Sequence, residues 1–228
     1  VICLWKPDSR FSISQWDRLL PLIKMVDYHF VVDSSQITEW RKRVNENTFW
    51  LPQGVQNEVY HKPESISNID RKKYSCDICF AGGNYHFRQP FLNAVDQMDV
   101  NFKKWGCNGK PKIYNEEHNK MVSLSKINLG CSAFFPDKKK YISVRDYKIL
   151  GAGGFLLEYY RDGLYEIFPH GTMDCYRTIK ELKEKIVYWL SNEEERKRTA
   201  EAGYNWVHEN ATYGHRVRMA LDYMKDRL

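Results

Sequence analysis

The chain has 228 residues, of which 43% are hydrophobic and 28% charged, the composition of a globular protein with a packed core and not of a disordered segment. Its net charge of +6 is compatible with a phosphate-bearing partner, but the basic runs are short and scattered among acids, so nucleic acid is an unlikely partner. No apolar stretch approaches the ~20 residues of a membrane span. Six cysteines without the pattern of a disulfide framework predict a reducing, cytoplasmic location.

The first third of the chain alternates short apolar runs with helical spacing. "VICLW" (Val1–Trp5), "YHFVVD" (Tyr28–Asp33) and "TFWLP" (Thr48–Pro52) have the length and residue types of strands. Strands that alternate with helices predict a parallel sheet. The polar stretch Asn57–Lys73 is the predicted linker to the second part of the chain. Because the first residue, Val1, is not Met and lies inside a predicted strand, we interpret the sequence as a fragment.

A second, fuller set of elements comes after the linker. "CDICFAGG" reads as a strand, His86–Val95 as a helix, and "VNFKKWG" and "SKINLG" as further strands. In "SVRDYKILGAGGFLLEYY" a helix passes through a glycine-rich turn into a strand, and Ser143 with Asp146 has the spacing of a capping box at its start. The tail is helical, ending in a helix over His215–Leu228. The sequence therefore predicts an α/β fold of two units, which together would form a ligand-binding cleft.

Two glycine-rich turns are the first candidates for chemistry. Gly82-Gly83-Asn84 ends a strand ahead of a helix, and the unpaired N–H groups of such a helix start suit a phosphate, with Arg88 adding charge. Gly151, Gly153 and Gly154 form the second turn. Glycine is also frequent in ordinary tight turns, and that reading stays open.

Cys76 and Cys79 form a C-x-x-C pair inside a predicted strand. A zinc or redox site is one reading, but no second pair is present further along the chain, so we favour two structural cysteines.

The order of these segments resembles the C-terminal half of a GT-B glycosyltransferase of group 1, nearest to its spore-maturation, CgeB-like branch. "LPQGV" is similar to an L-P-x-G-V element that leads into the second domain, and "SKINLG" is similar to S-K-I-x-L-N. "RDYKILGAGGFLL" is similar to an R-x-F-E-I-x-A-C-G helix and turn that precede F-L-L. The resemblance runs from about Tyr28 to the end and is most specific from Ser125 onward.

This resemblance implies a GT-B-like fold of two Rossmann-like units with parallel sheets. The N-terminal, acceptor-side unit (residues 1–61) would be truncated and joined by the C-terminal helix (212–228), and residues 62–211 would form the nucleotide-sugar-binding domain. It also implies a metal-independent, retaining transfer of a sugar from a UDP- or GDP-linked donor to an unknown acceptor. No cofactor is expected apart from that substrate. The sequence indicates no catalytic residue.

Carried onto this sequence, the resemblance gives a set of donor-binding residues. Gly82, Gly83, Asn84 and Arg88 would face the diphosphate, and Ser125, Lys126 and Asn128 would line the donor cleft. Arg145 matches the arginine of R-x-F-E, with a glycine turn at Gly151, Gly153 and Gly154 behind it. Fixed cations and N–H donors would stabilise the charge that develops on a leaving diphosphate.

Lys148 departs from the family pattern, because it stands where an acidic residue would accept hydrogen bonds from the ribose hydroxyls. A lysine ammonium has donors and no acceptor. Glu158 is a candidate replacement for that acid, with an ordinary surface glutamate as the alternative. Three hypotheses result: an active glycosyltransferase, a GT-B-like module that binds a nucleotide or nucleotide sugar without turnover, and, least favoured, a nucleic-acid-binding protein.

Overall fold

Two separate parallel β-sheets organise the computed structural model, which describes residues 1–6, 19–83, 85–107, 109–132 and 140–225. The first sheet consists, in spatial order, of β1 (Cys3–Lys6), β2 (Tyr28–Val31) and β3 (Thr48–Trp50). The second consists of β4 (Cys76–Ala81), β5 (Phe102–Trp105), β6 (Ser125–Leu129), β7 (Leu156–Tyr159) and β8 (Asp174–Tyr176), in the spatial order β5-β4-β6-β7-β8. Every pair of neighbouring strands is parallel. The predicted α/β fold with parallel sheets is confirmed.

Helices connect the strands. In chain order they are α1 (Leu20–Met25), α2 (Ile37–Arg43), α3 (Asn68–Tyr74), α4 (Gln89–Asp96), α5 (Asn115–Ser123), α6 (Val144–Gly151), α7 (Leu164–Ile167), α8 (Ile179–Ser191), α9 (Glu193–Asn210) and α10 (Tyr213–Lys225). The predicted linker is wrong over its C-terminal part, which is helix α3. A capping box starts this helix, since Ser67 and Asp70 each accept the other's backbone N–H.

The second sheet is covered on both faces. One core cluster joins it to α5, α6 and α9, through side chains that include Met121, Leu150 and Val207. The other joins it to α4 and α8, through side chains that include Leu92 and Ile186. A parallel sheet buried on both faces leaves only its edges and strand ends for a ligand.

The strand order reverses between β4 and β6, because the chain passes from β4 to β5 on one side and then returns to the other side of β4. In doubly wound α/β sheets, ligands bind beyond the carboxyl ends of the strands near such a reversal. The residues directly after β4 are Gly82 and Gly83. The topology therefore favours a ligand site at the carboxyl ends of the strands, next to Gly82 and Gly83.

Helix α10 ties the end of the chain to the first sheet. The Val55 N–H donates to Ala211 O at 2.9 Å, and the Tyr213 N–H donates to Val55 O at 3.0 Å. From there α10 lies against the first sheet, where the rings of Tyr223 and Phe49 stack with their centres 4.8 Å apart. The segment after β3 and the start of α10 thus join the two sheets. The domain limits at residues 61 and 211 remain a prediction.

Helix α6, which carries several candidate site residues, is held against α9 at a glycine. A Cβ on Gly203 would stand 2.4 Å from the Thr172 carbonyl oxygen and 2.8 Å from Leu150 Cδ2. These distances are too short for a side chain, so Gly203 permits the close packing of α9 on α6.

We expect Gly203→Ala to lower the free energy of unfolding by about 1–3 kcal/mol, the usual cost of overpacking. Chemical denaturation measures this change. Gly214→Ala on α10 is the matched control, because its added Cβ would meet nothing nearer than Thr212 Oγ1 at 3.5 Å. It should leave stability unchanged or raise it by up to about 1 kcal/mol through helix propensity. Equal losses in the two variants would contradict the packing argument.

Candidate functional site

A cavity of about 360 Å³ opens at the carboxyl edge of the second sheet. Its walls come from the segment after β3, the ends of β4 and β5 and their following loops, the approach to α5 and α5 itself, and the start of α6. The residues that line it are Tyr60, Ala81, Gly82, Gly83, Tyr85, Trp105, Gly106, Lys112, Ile113, Tyr114, His118, Ser143, Val144, Arg145 and Lys148. Four of the predicted donor-binding residues are therefore brought together here: Gly82, Gly83, Arg145 and Lys148.

Helix α6 points its N-terminus into this cavity. The Ser143 hydroxyl caps the helix by accepting the Arg145 N–H at 3.3 Å. The Arg145 side chain is anchored through Nε, which donates to Ala81 O at 2.8 Å, while its Nη1 has no hydrogen-bond partner among the described residues. A Cβ on Gly82 would lie 2.5 Å from Arg145 Nη2, so only glycine lets the guanidinium approach this closely. The result is an anchored cation at a helix N-terminus, which suits an anion.

Arg88 lies outside the cavity and holds the Gly83 loop in position. Its Nε donates to Cys131 O at 2.6 Å and its Nη1 to Gly83 O at 2.7 Å, so one guanidinium joins the loops after β4 and β6. It is 4% exposed and does not line the cavity. Burial, and then the nearby charge of Arg145, lower the pKa of Arg88 to about 10. Arg88 Nε and Nη1 thus hold the loops after β4 and β6 in place, and the contact of Arg88 with a diphosphate stays a prediction.

Lys148, Tyr60 and His118 lie together in the cavity wall, and we call this part of the cavity the Lys148 end. Lys148 Nζ lies 4.7 Å from the centre of the Tyr60 ring, and the His118 ring meets the same tyrosine edge-on at 5.4 Å. His118 is 6% exposed, and burial, followed by the charges of Lys148 and Arg145, lowers its pKa to about 4. At neutral pH this imidazole is uncharged, and its Nδ1 has no partner within the described part of the chain.

The charge of the cavity lining has one sign. Lys112, Arg145 and Lys148 contribute cations, and no carboxylate is found among the described residues that line the cavity. Trp105 Nε1 is a further buried N–H that the described residues leave without a partner. A cavity lined by cations and by no described carboxylate suits a ligand that supplies acceptors.

Four predicted donor residues lie at the opposite edge of the sheet. Ser125 and Lys126 begin β6, and Ser125 stands beside Cys76, the first residue of β4, in the strand register. They share a separate cavity of about 250 Å³ with Gly153 and Gly154. Lys126 Nζ contacts Asp77 Oδ1 at 2.7 Å. These four residues therefore do not share a cavity with Gly82 and Gly83, which lie beyond the other end of β4, and their role in donor binding stays a prediction.

The second glycine turn therefore has a different role from the one predicted. Gly153 has φ +77°, and its N–H and that of Gly154 close α6 by donating to Leu150 O at 2.9 Å and Ile149 O at 3.0 Å. A Cβ on Gly151 would come within 2.6 Å of Val55 Cγ2. The turn thus ends the helix and lets the segment after β3 pack closely against it; it does not approach the cavity.

The remaining predicted residues are structural or outside the described residues. Asn128 is fully buried, and its Nδ2 donates to the carbonyls of Val122 and Phe155 at 3.3 Å each. It therefore does not line a donor cleft. Asn84 lies outside the described residues.

Glu158 is not a surface residue and does not line the cavity. It is fully buried, and its Oε1 accepts the N–H groups of Ser132 and Tyr159 at 2.9 and 3.0 Å. Its Oε2 and Oδ1 of the buried Asp146 have no other partner among the described residues. Burial raises the pKa of Asp146 well above its ordinary value, and the charge of and hydrogen bond to Glu158 raise it further. Burial and this neighbour thus both favour the protonated form of Asp146. The predicted capping box is wrong, since Asp146 is used in this pair.

The C-x-x-C pair is structural, as favoured from the sequence. Both thiols are buried and hydrogen-bond to β6, Cys76 to Ser125 at 3.2 Å and Cys79 to Asn128 at 3.0 Å. Burial raises the pKa of both. All six cysteines are free thiols. The described residues hold no group of three or more His, Cys, Asp or Glu placed for a metal ion.

Sequence reasoning missed several cavity residues. Trp105 and Gly106 could have been found, because they lie at the end of strand β5 as Gly82 lies at the end of β4. Tyr60, Tyr114 and His118 carry no comparable signal, since they come from the predicted linker, the approach to α5 and α5 itself.

The sequence profile of the glycosyl transferase-like family matches residues 88–222, more than half of the chain. The chain therefore belongs to this family. The match includes most of the second sheet and the start of α6. None of the curated proteins compared with the chain matches it.

Solved structures show the same fold. Anabaena HepE in complex with UDP-glucose superimposes with a TM-score of 0.72 at 11% identity, over 98% of this chain and 72% of that one. Sucrose-phosphate synthase from Thermosynechococcus elongatus gives 0.66 at 11% identity, over 94% of this chain and 62% of that one. A glycosyltransferase from Rickettsia africae gives 0.64 at 12% identity, over 92% and 67%. The fold is that of GT-B glycosyltransferases, and the chain spans less than two thirds of the synthase.

In the described part of the chain, no helix is both long and apolar enough to cross a membrane.

The buried carboxyl pair predicts a pH dependence of stability. A carboxyl whose pKa is raised by folding stabilises the native state at acid pH, and this contribution is lost as pH rises from about 4 towards the folded pKa. Asp146→Asn keeps the shape but cannot ionise. We expect its free energy of unfolding, relative to that of the wild type, to increase with pH by up to about 1.4 kcal/mol per unit in this window. Denaturant titrations at several pH values measure the difference.

Asp77→Asn is a control of opposite sign. Its hydrogen bond with Lys126 lowers the pKa of Asp77, so the wild type gains stability over this variant as pH rises to about 4, below the window of Asp146. A difference for Asp146→Asn that is independent of pH would contradict the raised pKa of Asp146.

Proposed function

We propose that the chain is the donor-binding part of a glycosyltransferase that moves a sugar from a nucleotide diphosphate donor to an acceptor. One observation carries this proposal: the glycine loop after β4, the N-terminus of α6 and the Arg145 guanidinium converge on one cavity at the carboxyl edge of the sheet. Membership of the glycosyl transferase-like family supports the reaction class. That Anabaena HepE binds UDP-glucose and UDP supports a nucleotide-sugar donor.

In this proposal the diphosphate lies between Gly83 and Arg145. When the bond between the sugar and the diphosphate breaks, negative charge increases on the leaving phosphate oxygens. The charge of the anchored Arg145 guanidinium and the positive end of the α6 dipole are already in position, so they stabilise that charge without reorganising. Lys112 and Lys148 add to the field within the same cavity.

The finer parts of the proposal come from the resemblance. We propose that the sugar is carried by UDP or GDP and that its anomeric configuration is retained. We also propose, as the third and fourth points, that no metal ion is required and that the acceptor approaches from the side of the first sheet. Fixed side-chain cations support the third of these, because they can supply the positive charge that a divalent ion would otherwise provide. The free thiols fit the reducing, cytoplasmic location, which stays a prediction.

A second candidate is a module that binds the nucleotide without transferring a sugar. The observation in its favour is the absence of a carboxylate among the described residues of the cavity lining, where Lys148 replaces an acid. A transfer or hydrolysis assay with UDP-glucose separates the two candidates, since a binding module releases no UDP.

Binding of the nucleotide itself is the direct test of the site. We expect calorimetry to detect UDP or GDP binding that persists in the presence of a chelator. Arg145→Ala should weaken it about ten- to a hundredfold, because a hydrogen bond to a charged group contributes roughly 1.5–3 kcal/mol. Lys126→Ala, which removes a cation at the other edge of the same sheet, should change the affinity less than twofold. No binding of either nucleotide at millimolar concentration would contradict the proposed function.

A further inference from the structure

The cavity holds more positive charge than a diphosphate requires. Arg145 and the N-terminus of α6 already form an anion site with the loop at Gly83. Lys148 lies one turn further along α6, three residues and therefore about 4.5 Å along the helix axis from Arg145. Lys112, before α5 and close to Gly106, also lines the cavity. A ligand that placed only two phosphates near Arg145 would leave the Lys148 end facing uncharged groups.

No carboxylate among the described lining residues neutralises Lys148. Its described contact is the ring of Tyr60, at 4.7 Å from Nζ to the ring centre, and a ring face attracts a cation but does not cancel its charge. The charge of Lys148 is felt by its neighbour, since it contributes to lowering the pKa of the buried His118. His118 itself is 6% exposed and leaves Nδ1 without a partner in the described residues. The Lys148 end is therefore lined by polar side chains, and no described residue there supplies a negative charge.

This site suits an acceptor-rich, anionic group and does not suit ribose hydroxyls alone. A ribose has to donate its hydroxyl hydrogens as well as accept, and the ammonium of Lys148 can only donate. Neutral His118 offers at most one acceptor nitrogen. A phosphate or carboxylate, in contrast, accepts from Lys148 in a charge-assisted hydrogen bond. The same logic applies in dinucleotide-binding folds, where a basic residue in place of the ribose-binding acid accommodates a ribose phosphate.

We propose that the ligand of this cavity carries a third anionic group, a phosphate or a carboxylate, beside the diphosphate and in contact with Lys148. The inference depends on the proposed function, because it places the diphosphate at Arg145. It assigns Lys148 to specificity for a more highly charged nucleotide sugar. The group could lie on the transferred sugar, as in a uronic acid, or on the ribose, as a phosphate.

Two pairs of nucleotides that differ by one anionic group test the two locations. UDP-glucuronate against UDP-glucose tests the sugar, and 3′-phosphorylated ADP against ADP tests the ribose. Affinities are measured by calorimetry with the wild-type chain at 0.15 M salt, where charges more than about 8 Å apart are largely screened. We expect a preference of about tenfold or more for the more highly charged member of one pair, the size of one charge-assisted hydrogen bond.

Substitutions show whether Lys148 is the source of the preference. Lys148→Met keeps an unbranched apolar stem against Tyr60 and should reduce the preference to within twofold of unity, while Lys148→Arg should retain it. Lys148→Glu should reverse it and favour the less charged member. Lys126→Met, the same loss of charge at the opposite edge, should leave the wild-type ratio unchanged. Thermal unfolding of each variant checks that it is folded.

The outcomes separate this inference from the proposed function. If UDP-glucose or ADP binds but neither pair shows a preference, the third anionic group is contradicted and the donor site is not. If the preference persists in Lys148→Met, another residue carries it and the assignment of Lys148 is wrong. That result would leave Lys148 with only its packing on Tyr60. If none of the four nucleotides binds, the third anionic group is contradicted, and the proposed function fails as well only if UDP and GDP do not bind either.

Discussion

The buried guanidinium of Arg88 is the interaction on which the site depends. At the reversal of strand order, the loops after β4 and β6 separate, and their carbonyl groups no longer have partners in the sheet. Arg88 joins them by donating to Gly83 O and Cys131 O at 2.7 and 2.6 Å. A second arginine, Arg145, is anchored to Ala81 O beside it. Burial and the charge of Arg145 lower the pKa of Arg88, and the nearby Cys131 and Glu158 act in the opposite direction.

That charge balance connects four segments of the carboxyl edge. Glu158 accepts the Ser132 N–H from the loop after β6 and interacts with Asp146 on α6. Asp146 is the chain neighbour of Arg145 but does not line the cavity itself. The buried side chains of Arg88 and Glu158 therefore lie behind the cavity, whereas Arg145 and Lys148 line it.

A short segment after β3, which contains Val55 and Tyr60, connects the first sheet to the cavity wall. Val55 is paired to the start of α10, and Gly151 lets this segment lie close to the end of α6. A few residues later, Tyr60 becomes part of the cavity wall and contacts Lys148. Any change in how the first sheet sits relative to the second would be transmitted to this wall. The glycine turn thus contributes to the site indirectly, by positioning the segment that carries Tyr60.

The sequence by itself determined the kind of fold and one part of the site. Alternating strand and helix periods predicted parallel sheets, and a glycine pair directly after a strand marked Gly82 and Gly83, because this signal is local in the chain. The turn at Gly153 comes after a helix and before a strand, which places it at the amino end of that strand. Its glycine content nevertheless suggested a ligand site. The tertiary structure decided the rest. That Tyr60, Trp105 and His118 share a wall, and that Asp146 is buried against Glu158, depends on contacts between segments far apart in the chain, for which no local pattern exists.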